Sequence, residues 1–236
     1  MSLIKNSRTS VRLTPLKKNR ILKRTPFRST SKHAEQALYR AAKSIFAARG
    51  YDGATVEQIA DAAGTNNAMI SYYFGGKEGL YKKCLEGFGN QGFLVAQRIL
   101  SPANSEDEMI VRLKLFADEM IQSYLDDPEL ATLVQRECDE GAPHANPEIS
   151  KSLLSSFNLL NSFFEAAKKK HLIHSEIDPR MAATLFYGLL NHWTRRHETL
   201  RKFLGVTLDQ ADYRSRFLDH MIHIFIQGVR RCKESK

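Results

Sequence analysis

The chain is poor in the residues that would commit it to several kinds of protein. Only three cysteines occur in 236 residues, Cys84, Cys138 and Cys232, and no two form a CxxC pair. That argues against a disulfide framework and a cysteine zinc site, and it fits a reducing cytoplasm. No apolar run approaches the roughly 18 residues a membrane span needs, and the start lacks the apolar stretch of a secretory signal. HExxH, a glycine-rich phosphate loop and GxSxG are all missing, so no enzyme activity, metal or cofactor is expected. His220 and His223 stand three apart, as do His171 and His174. The first pair shares a polar helix side with Asp219 and Gln227, and solvated imidazoles are expected at both.

Acid is absent from residues 1–32, which hold ten of the 35 Lys and Arg residues. The whole chain carries a formal +9, yet residues 33–236 sum to −1, with 25 basic against 26 acidic side chains. The basicity belongs to an N-terminal extension rich in Ser, Thr, Lys and Arg, interrupted by Pro15 and Pro26. Unneutralised like charge predicts an extended segment when it is free. Three readings fit it: a solvated tail, an arm lying along nucleic-acid phosphates, or an organellar transit peptide.

No alternating strand pattern survives after the extension, and the apolar residues keep helical spacing. Leu38, Ala41, Ala42, Ile45 and Phe46 form one amphipathic stripe, which Gly50 ends. Thr55 and Gln58 make a capping box ahead of Val56, Ile59 and Ala60. Asp127-Pro128, Asn146-Pro147 and Asp178-Pro179 each place an N-cap acceptor before a proline that loses nothing at the first helical position. Ser105 with Glu108, and Thr207 with Gln210, read as further boxes. The expectation is an all-α protein of about nine helices, near 33–49, 56–63, 67–73, 77–100, 106–125, 128–139, 147–170, 179–198 and 208–231.

The second and third helices are short and joined by a turn containing Gly64, which is helix-turn-helix geometry. Asn66 can cap the third. With Ile70 facing the core, 100° per residue sends Ala68 and Tyr72 outward, flanked by Met69 and Ser71, and returns Phe74 to the core side. A small, polar and aromatic face suits a major groove. Asn67 can pair with adenine N6 and N7, Ala68 and Met69 can pack on thymine methyls, and Tyr72 can donate to a phosphate. Glu57 can accept from cytosine N4, though solvation explains it as well.

Residues Ile45-Phe46-Ala47-Ala48-Arg49-Gly50-Tyr51, Thr55-Val56, Ile59-Ala60, Ala63-Gly64 and Tyr73-Phe74-Gly75-Gly76-Lys77-Glu78-Gly79-Leu80-Tyr81 together resemble the TetR family of bacterial transcriptional regulators. The likeness covers about residues 33–85. It departs where the family often has Ser, Gly and Tyr and this chain has Asn66, Ala68 and Ser71, on or beside the reading face. The resemblance implies that Thr55, Tyr73 and Lys77 grip phosphates and that residues 67–72 approach bases. It divides the chain into the basic extension (1–32), a three-helix DNA-binding domain (33–80) and a larger helical ligand-binding and dimerisation domain (81–236).

The same resemblance implies a homodimer on a near-palindromic operator, a cytoplasmic location and a small-molecule effector the sequence does not identify. Phe93, Leu113, Phe116, Met120, Tyr124, Phe157 and Phe164 are candidate pocket walls, with Arg136, Asn161 and His144 as candidate polar handles. Each apolar member can equally be core. The last helix is apolar over an arc of about 200°, wider than the roughly 100° stripe one core needs. Phe217, Met221, Ile224 and Phe225 there, with Phe186, Leu189 and Trp193 on the preceding helix, are the expected dimer interface. The expected function is a ligand-responsive homodimeric repressor. A same-fold activator or a regulator without an inducer is the alternative, and a helical ligand-binding or enzymatic domain with a vestigial helix-turn-helix is a third.

Overall fold

Local capping chemistry sets most of the helix starts. In a computed structural model, which describes residues 31–229, the Thr55 hydroxyl accepts from the Gln58 N–H while the Gln58 side chain accepts from the Thr55 N–H. Asp127, Asn146 and Asp178 each take a backbone N–H of the turn they open, with proline following. Ser105 caps its helix at Glu108 N–H, but the Glu108 carboxylate reaches back one residue further, to Asn104 N–H. The box expected at Thr207 gives way to a backbone turn, Gln210 N–H to Thr207 carbonyl, and the last helix starts at Ala211.

The described residues form eleven helices and no strand: α1 (Ser31–Gly53), α2 (Val56–Ala62), α3 (Asn67–Phe74), α4 (Lys77–Ile99), α5 (Glu106–Asp126), α6 (Pro128–Asp139), α7 (Pro147–Leu153), α8 (Ser155–Lys169), α9 (Pro179–Arg195), α10 (His197–Leu204) and α11 (Ala211–Val229). α1 breaks at Gly50, where φ is 72°, a left-handed value that suits glycine. The all-α expectation holds. The two extra helices have physical causes. Between α7 and α8 the Ser155 hydroxyl donates to the Ser152 carbonyl at 2.5 Å and competes with the helical ladder. At the end of α9, Thr194 donates to the Leu190 and Asn191 carbonyls, and Arg196 N–H closes a tighter turn on Trp193. Residues 1–30 of the N-terminal basic extension, Cys232 and the end of the last expected helix lie outside the described residues, and α1 begins two residues before the expected boundary.

Two cores organise the chain. The first gathers Leu38, Ala42 and Phe46 of α1 with Ile59, Ile70, Leu80 and Leu85, and also takes Leu130, Leu133 and Val134 of α6 and Ile149 of α7. The second is aromatic, with Phe116, Phe163, Phe164, Phe186 and Phe225 buried together. α4 serves both, its first half through Leu80 and Leu85 and its second through Val95, Ala96 and Ile99. The expected boundary after residue 80 therefore does not coincide with the division of the cores. α6 comes from the far side of it and packs with the N-terminal helices.

Candidate nucleic-acid interface

The reading helix is built from its cap upward. Asn66 Oδ1 accepts the Met69 N–H at 3.2 Å and starts α3. Ile70 is fully buried against α1 and α4, which turns Asn67, Ala68, Ser71 and Tyr72 outward. Tyr72 is 76% exposed and is steadied by an edge-on contact with Tyr73, ring centroids 4.9 Å apart. Met69, Tyr73 and Phe74 pack partly on the N-terminal core. Behind α3 the chain turns at once into α4, an approach that depends on Gly79: a Cβ there would sit 1.7 Å from the Phe74 carbonyl oxygen.

Several predicted contact residues already have work inside the protein. The Asn66 side-chain oxygen is used as the cap, leaving only its amide N–H groups for DNA. Asn67 Nδ2 donates to Glu57 Oε1 at 3.4 Å, which fixes the amide's orientation at the tip of the reading face and accounts for Glu57. Thr55 lies exposed at the start of α2 with its oxygen engaged by the cap. Lys77 Nζ donates to the Ala54 carbonyl at 2.9 Å and lies 4.2 Å from the centroid of the Tyr51 ring, so it ties the start of α4 to the α1–α2 turn. Lys43 is paired with Asp127, Lys82 with Glu78 and Lys83 with Glu86.

A buried polar cluster joins this domain to α6. Glu137, fully buried, accepts from Tyr81 Oη at 2.9 Å, from His144 N–H at 2.6 Å and from the His144 ring at 3.1 Å. A carboxylate only accepts, so His144 Nδ1 carries the ring proton in this contact. The imidazole lies tilted against Tyr51, ring centroids 4.1 Å apart, and Tyr51 also contacts Phe46, Tyr81 and Lys77. Burial, and then the bond to Glu137, push the Tyr81 phenol well above its ordinary pKa. His144 was expected as a ligand handle, and no local pattern marks Glu137 as its partner. Instead the two form a latch between the α6–α7 turn and the DNA-binding helices.

The predicted pocket is filled rather than hollow. Leu113, Phe116, Met120 and Phe164 are buried in the aromatic core, Phe157 packs edge-on against Tyr187, and Phe93 is half-buried. Asn161 bonds Glu165 through its Nδ2 at 2.8 Å, and its Oδ1 has no partner among the described residues. Of these candidates Tyr124 and Arg136 border a cavity that runs along α6 among the described residues. Aromatic content could not tell a lined pocket from a filled core.

Part of the expected dimer face turns inward in the same way. Phe186, Met221 and Phe225 are buried in their own subunit's core, and Trp193 packs against Phe217 at 4.9 Å. On these two helices the outward apolar residues are Leu185 (64% exposed), Leu189, Ile224 (71%) and one the expected stripe omitted, Met181 (65%). Met181, Leu185 and Leu189 recur every four residues along α9, a signal legible in the sequence.

Among the described residues no helix is long and apolar enough to cross a membrane. Residues 38–84 match the family model for bacterial regulatory proteins of the tetR family. The chain is 27% identical to the HTH-type transcriptional repressor NicS of Pseudomonas putida over 86% of this chain and 99% of that one. It is 24% identical to the HTH-type transcriptional regulator RutR of Escherichia coli K12, over 83% and 90% of the two chains. In fold it is similar to a TetR family transcriptional regulator from Chloroflexus aurantiacus, with a TM-score of 0.67 and 21% identity, covering 87% of this chain and 97% of that one.

Proposed function

We propose that this chain, which belongs to the tetR family of bacterial regulatory proteins and is a DNA-binding transcriptional regulator, is a homodimeric repressor that a small effector releases from its operator. The observation that carries this reading is α3: capped by Asn66, anchored by Ile70, and offering Asn67, Ala68, Ser71 and Tyr72 to solvent. Asn67, held by Glu57, reads adenine; Ala68 and Met69 meet thymine methyls; Tyr72 and Thr55 donate to phosphates. Tyr73 and Lys77 brace the recognition helix and present their remaining polar groups to the backbone.

The apolar face of Met181, Leu185, Leu189 and Ile224 supports dimerisation through α9 and α11 about a two-fold axis. Such an axis sets two α3 helices on half-sites about one DNA turn apart, and the operator is near-palindromic. Footprinting of the intergenic DNA beside the gene tests the proposal. Protection of a near-palindrome is expected, with Tyr72→Ala losing protection while melting at the wild-type temperature; no protected palindrome overturns it.

The N-terminal extension adds an electrostatic claim. Residues 33–88 carry six basic and six acidic side chains, and Lys43, Lys77, Lys82 and Lys83 are engaged internally. Long-range attraction to DNA therefore falls to the ten cations of residues 1–32. Deleting residues 2–30 should weaken operator binding and flatten its salt dependence by about 0.9 in log–log slope per lost phosphate contact. An unchanged slope rules the arm out. The protein acts where its operator is, in the cytoplasm.

A further inference from the structure

α6 is a wall with two opposed faces. Leu130, Leu133, Val134 and Glu137 are buried toward the DNA-binding helices. On the opposite side Pro128, Ala131, Thr132, Gln135, Arg136 and Asp139 border a cavity of about 320 Å³, closed by α5 at Ile121, Tyr124 and Leu125 and by Thr194 and Leu208. That volume lies at the small end of ligand sites, which run from about 300 to 1,000 Å³.

The polar groups around this cavity are mostly satisfied. Tyr124 donates to Asn191 at 3.1 Å, Thr132 to the Pro128 carbonyl at 2.7 Å, and Thr194 to two carbonyls of its own helix. Arg136 differs. Among the described residues it is the one cation lining the cavity, and of its five N–H donors one on Nη1 reaches the Phe46 carbonyl at 3.3 Å. That carbonyl lies in the last turn of α1 before the break at Gly50, and Arg136 packs on Gly50 itself, its Nη1 3.2 Å from where a Cβ would be. The guanidinium thus borders the cavity and caps the long segment of α1 at once.

We propose that this cavity is the effector site, that its ligand is a small organic monoacid, one carboxylate on a compact apolar body, and that Arg136 both meets the carboxylate and reports it to α1. A guanidinium takes a carboxylate through two parallel hydrogen bonds, and the Ile121, Leu125 and Leu208 walls take the apolar part. A phosphate dianion fits poorly, because Asp139 at the exposed end and the carbonyls ending α6 repel a second negative charge. A carboxylate seated on the Nη1–Nη2 edge competes with the Phe46 carbonyl for Nη1, so the acid favours the form in which α1 is uncapped. Only such unequal affinity for two states lets a ligand shift them.

This inference rests on reading the chain as an effector-released repressor, and its test separates the two. Titration calorimetry on the full chain uses benzoate as the probe and benzamide as its uncharged match. Benzoate alone should bind, and binding should disappear in Thr132→Trp, which fills the cavity from an exposed position on α6, and in Arg136→Gln. Arg136→Lys keeps the charge without the fork and should bind benzoate more weakly than wild type. In operator gel shifts, benzoate should weaken wild-type binding by roughly 5–150-fold, the usual range of allosteric coupling. Equal binding of benzamide, retention of benzoate by Thr132→Trp, or no heat from millimolar benzoate, phenylacetate and hexanoate overturns the site. A chain that binds no operator overturns the repressor reading, while the calorimetry still decides the cavity.

Discussion

Replacing Glu137 by glutamine tests the latch between α6 and the DNA-binding helices with almost no change in volume. The carboxylate receives three donors, Tyr81 Oη and the His144 ring on one oxygen and His144 N–H on the other. A glutamine offers one acceptor oxygen and turns an NH₂ toward whatever faces its other end. The better orientation keeps Tyr81 and the ring satisfied and leaves a buried backbone N–H facing a donor, which costs about 1–3 kcal/mol. The two retained bonds change from charge-assisted to neutral, a loss of about 1 kcal/mol each. The expected destabilisation is about 3–5 kcal/mol, or roughly 6–20 °C in Tm for a chain of this size. Thermal unfolding followed by circular dichroism measures it. Tyr81→Phe removes one of the same bonds, so the double variant should fall short of the summed single losses by about 0.5–3 kcal/mol. A Glu137→Gln loss under about 0.5 kcal/mol, the range of ordinary surface changes, or strict additivity with Tyr81→Phe, would refute the latch.

Gly79→Ala puts a methyl 1.7 Å from the Phe74 carbonyl oxygen; forcing α4 off the end of α3 should cost about 1–3 kcal/mol and abolish the operator footprint, and a normal footprint would show that the junction tolerates the shift. Leu185→Glu with Ile224→Glu places charge on the exposed α9–α11 face and should yield folded monomers by light scattering, whereas Phe186→Ala should lower Tm by about 3–5 kcal/mol worth of core packing. The Cys84 thiol is pushed up to about 12 from its ordinary 9.0, chiefly by burial. The folded state therefore keeps a proton that the unfolded chain releases, and stability is intact below about pH 9 and falls by about 1.4 kcal/mol per unit above it. Urea unfolding at about pH 8 and pH 10 should reveal that loss in wild type and a shallower one in Cys84→Ala.

What the sequence disclosed were features decided within four or five residues. Thr55 with Gln58, Asn66, and the Asp-Pro and Asn-Pro pairs satisfy backbone groups beside them, so their roles survive any tertiary arrangement. The outward face of α3 was legible because one buried residue, Ile70, sets the phase of a short helix. α11 is apolar nearly all round, and periodicity cannot say which side meets its own core. Met221 and Phe225 turn inward and Ile224 outward for reasons that lie in α5, α8 and α9. The internal contacts of Lys77 were hidden for a related reason. A lysine at a helix start reads as a free charge until Ala54 and Tyr51, more than twenty residues earlier, are brought beside it. Glu137 carries no local signal of its role, because its partners Tyr81 and His144 come from a different helix and a turn.

The placement of α6 bears on how any effector signal can travel. Asp127 caps α6 at Leu130 N–H and pairs with Lys43 of α1, while at the other end Arg136 and Glu137 hold Phe46, Tyr81 and His144. A helix pinned at both ends and buried between them through Leu130, Leu133 and Val134 does not slide freely, since packed interiors deform in steps. Motion of α6 must therefore carry α1 with it or break one of the two attachments. The weakest tie is at Arg136, a single 3.3 Å bond to a carbonyl, against the Lys43–Asp127 ion pair at the other end and the Tyr81–Glu137 bond to α4. Release at Arg136 would uncap α1 beside Gly50 while Glu137 keeps the α6–α7 turn in register with α4. α1, still tied to α6 by Lys43 and Asp127, then pivots relative to α4, and the core that both share with Ile70 carries that motion to the recognition helix without unfolding the domain.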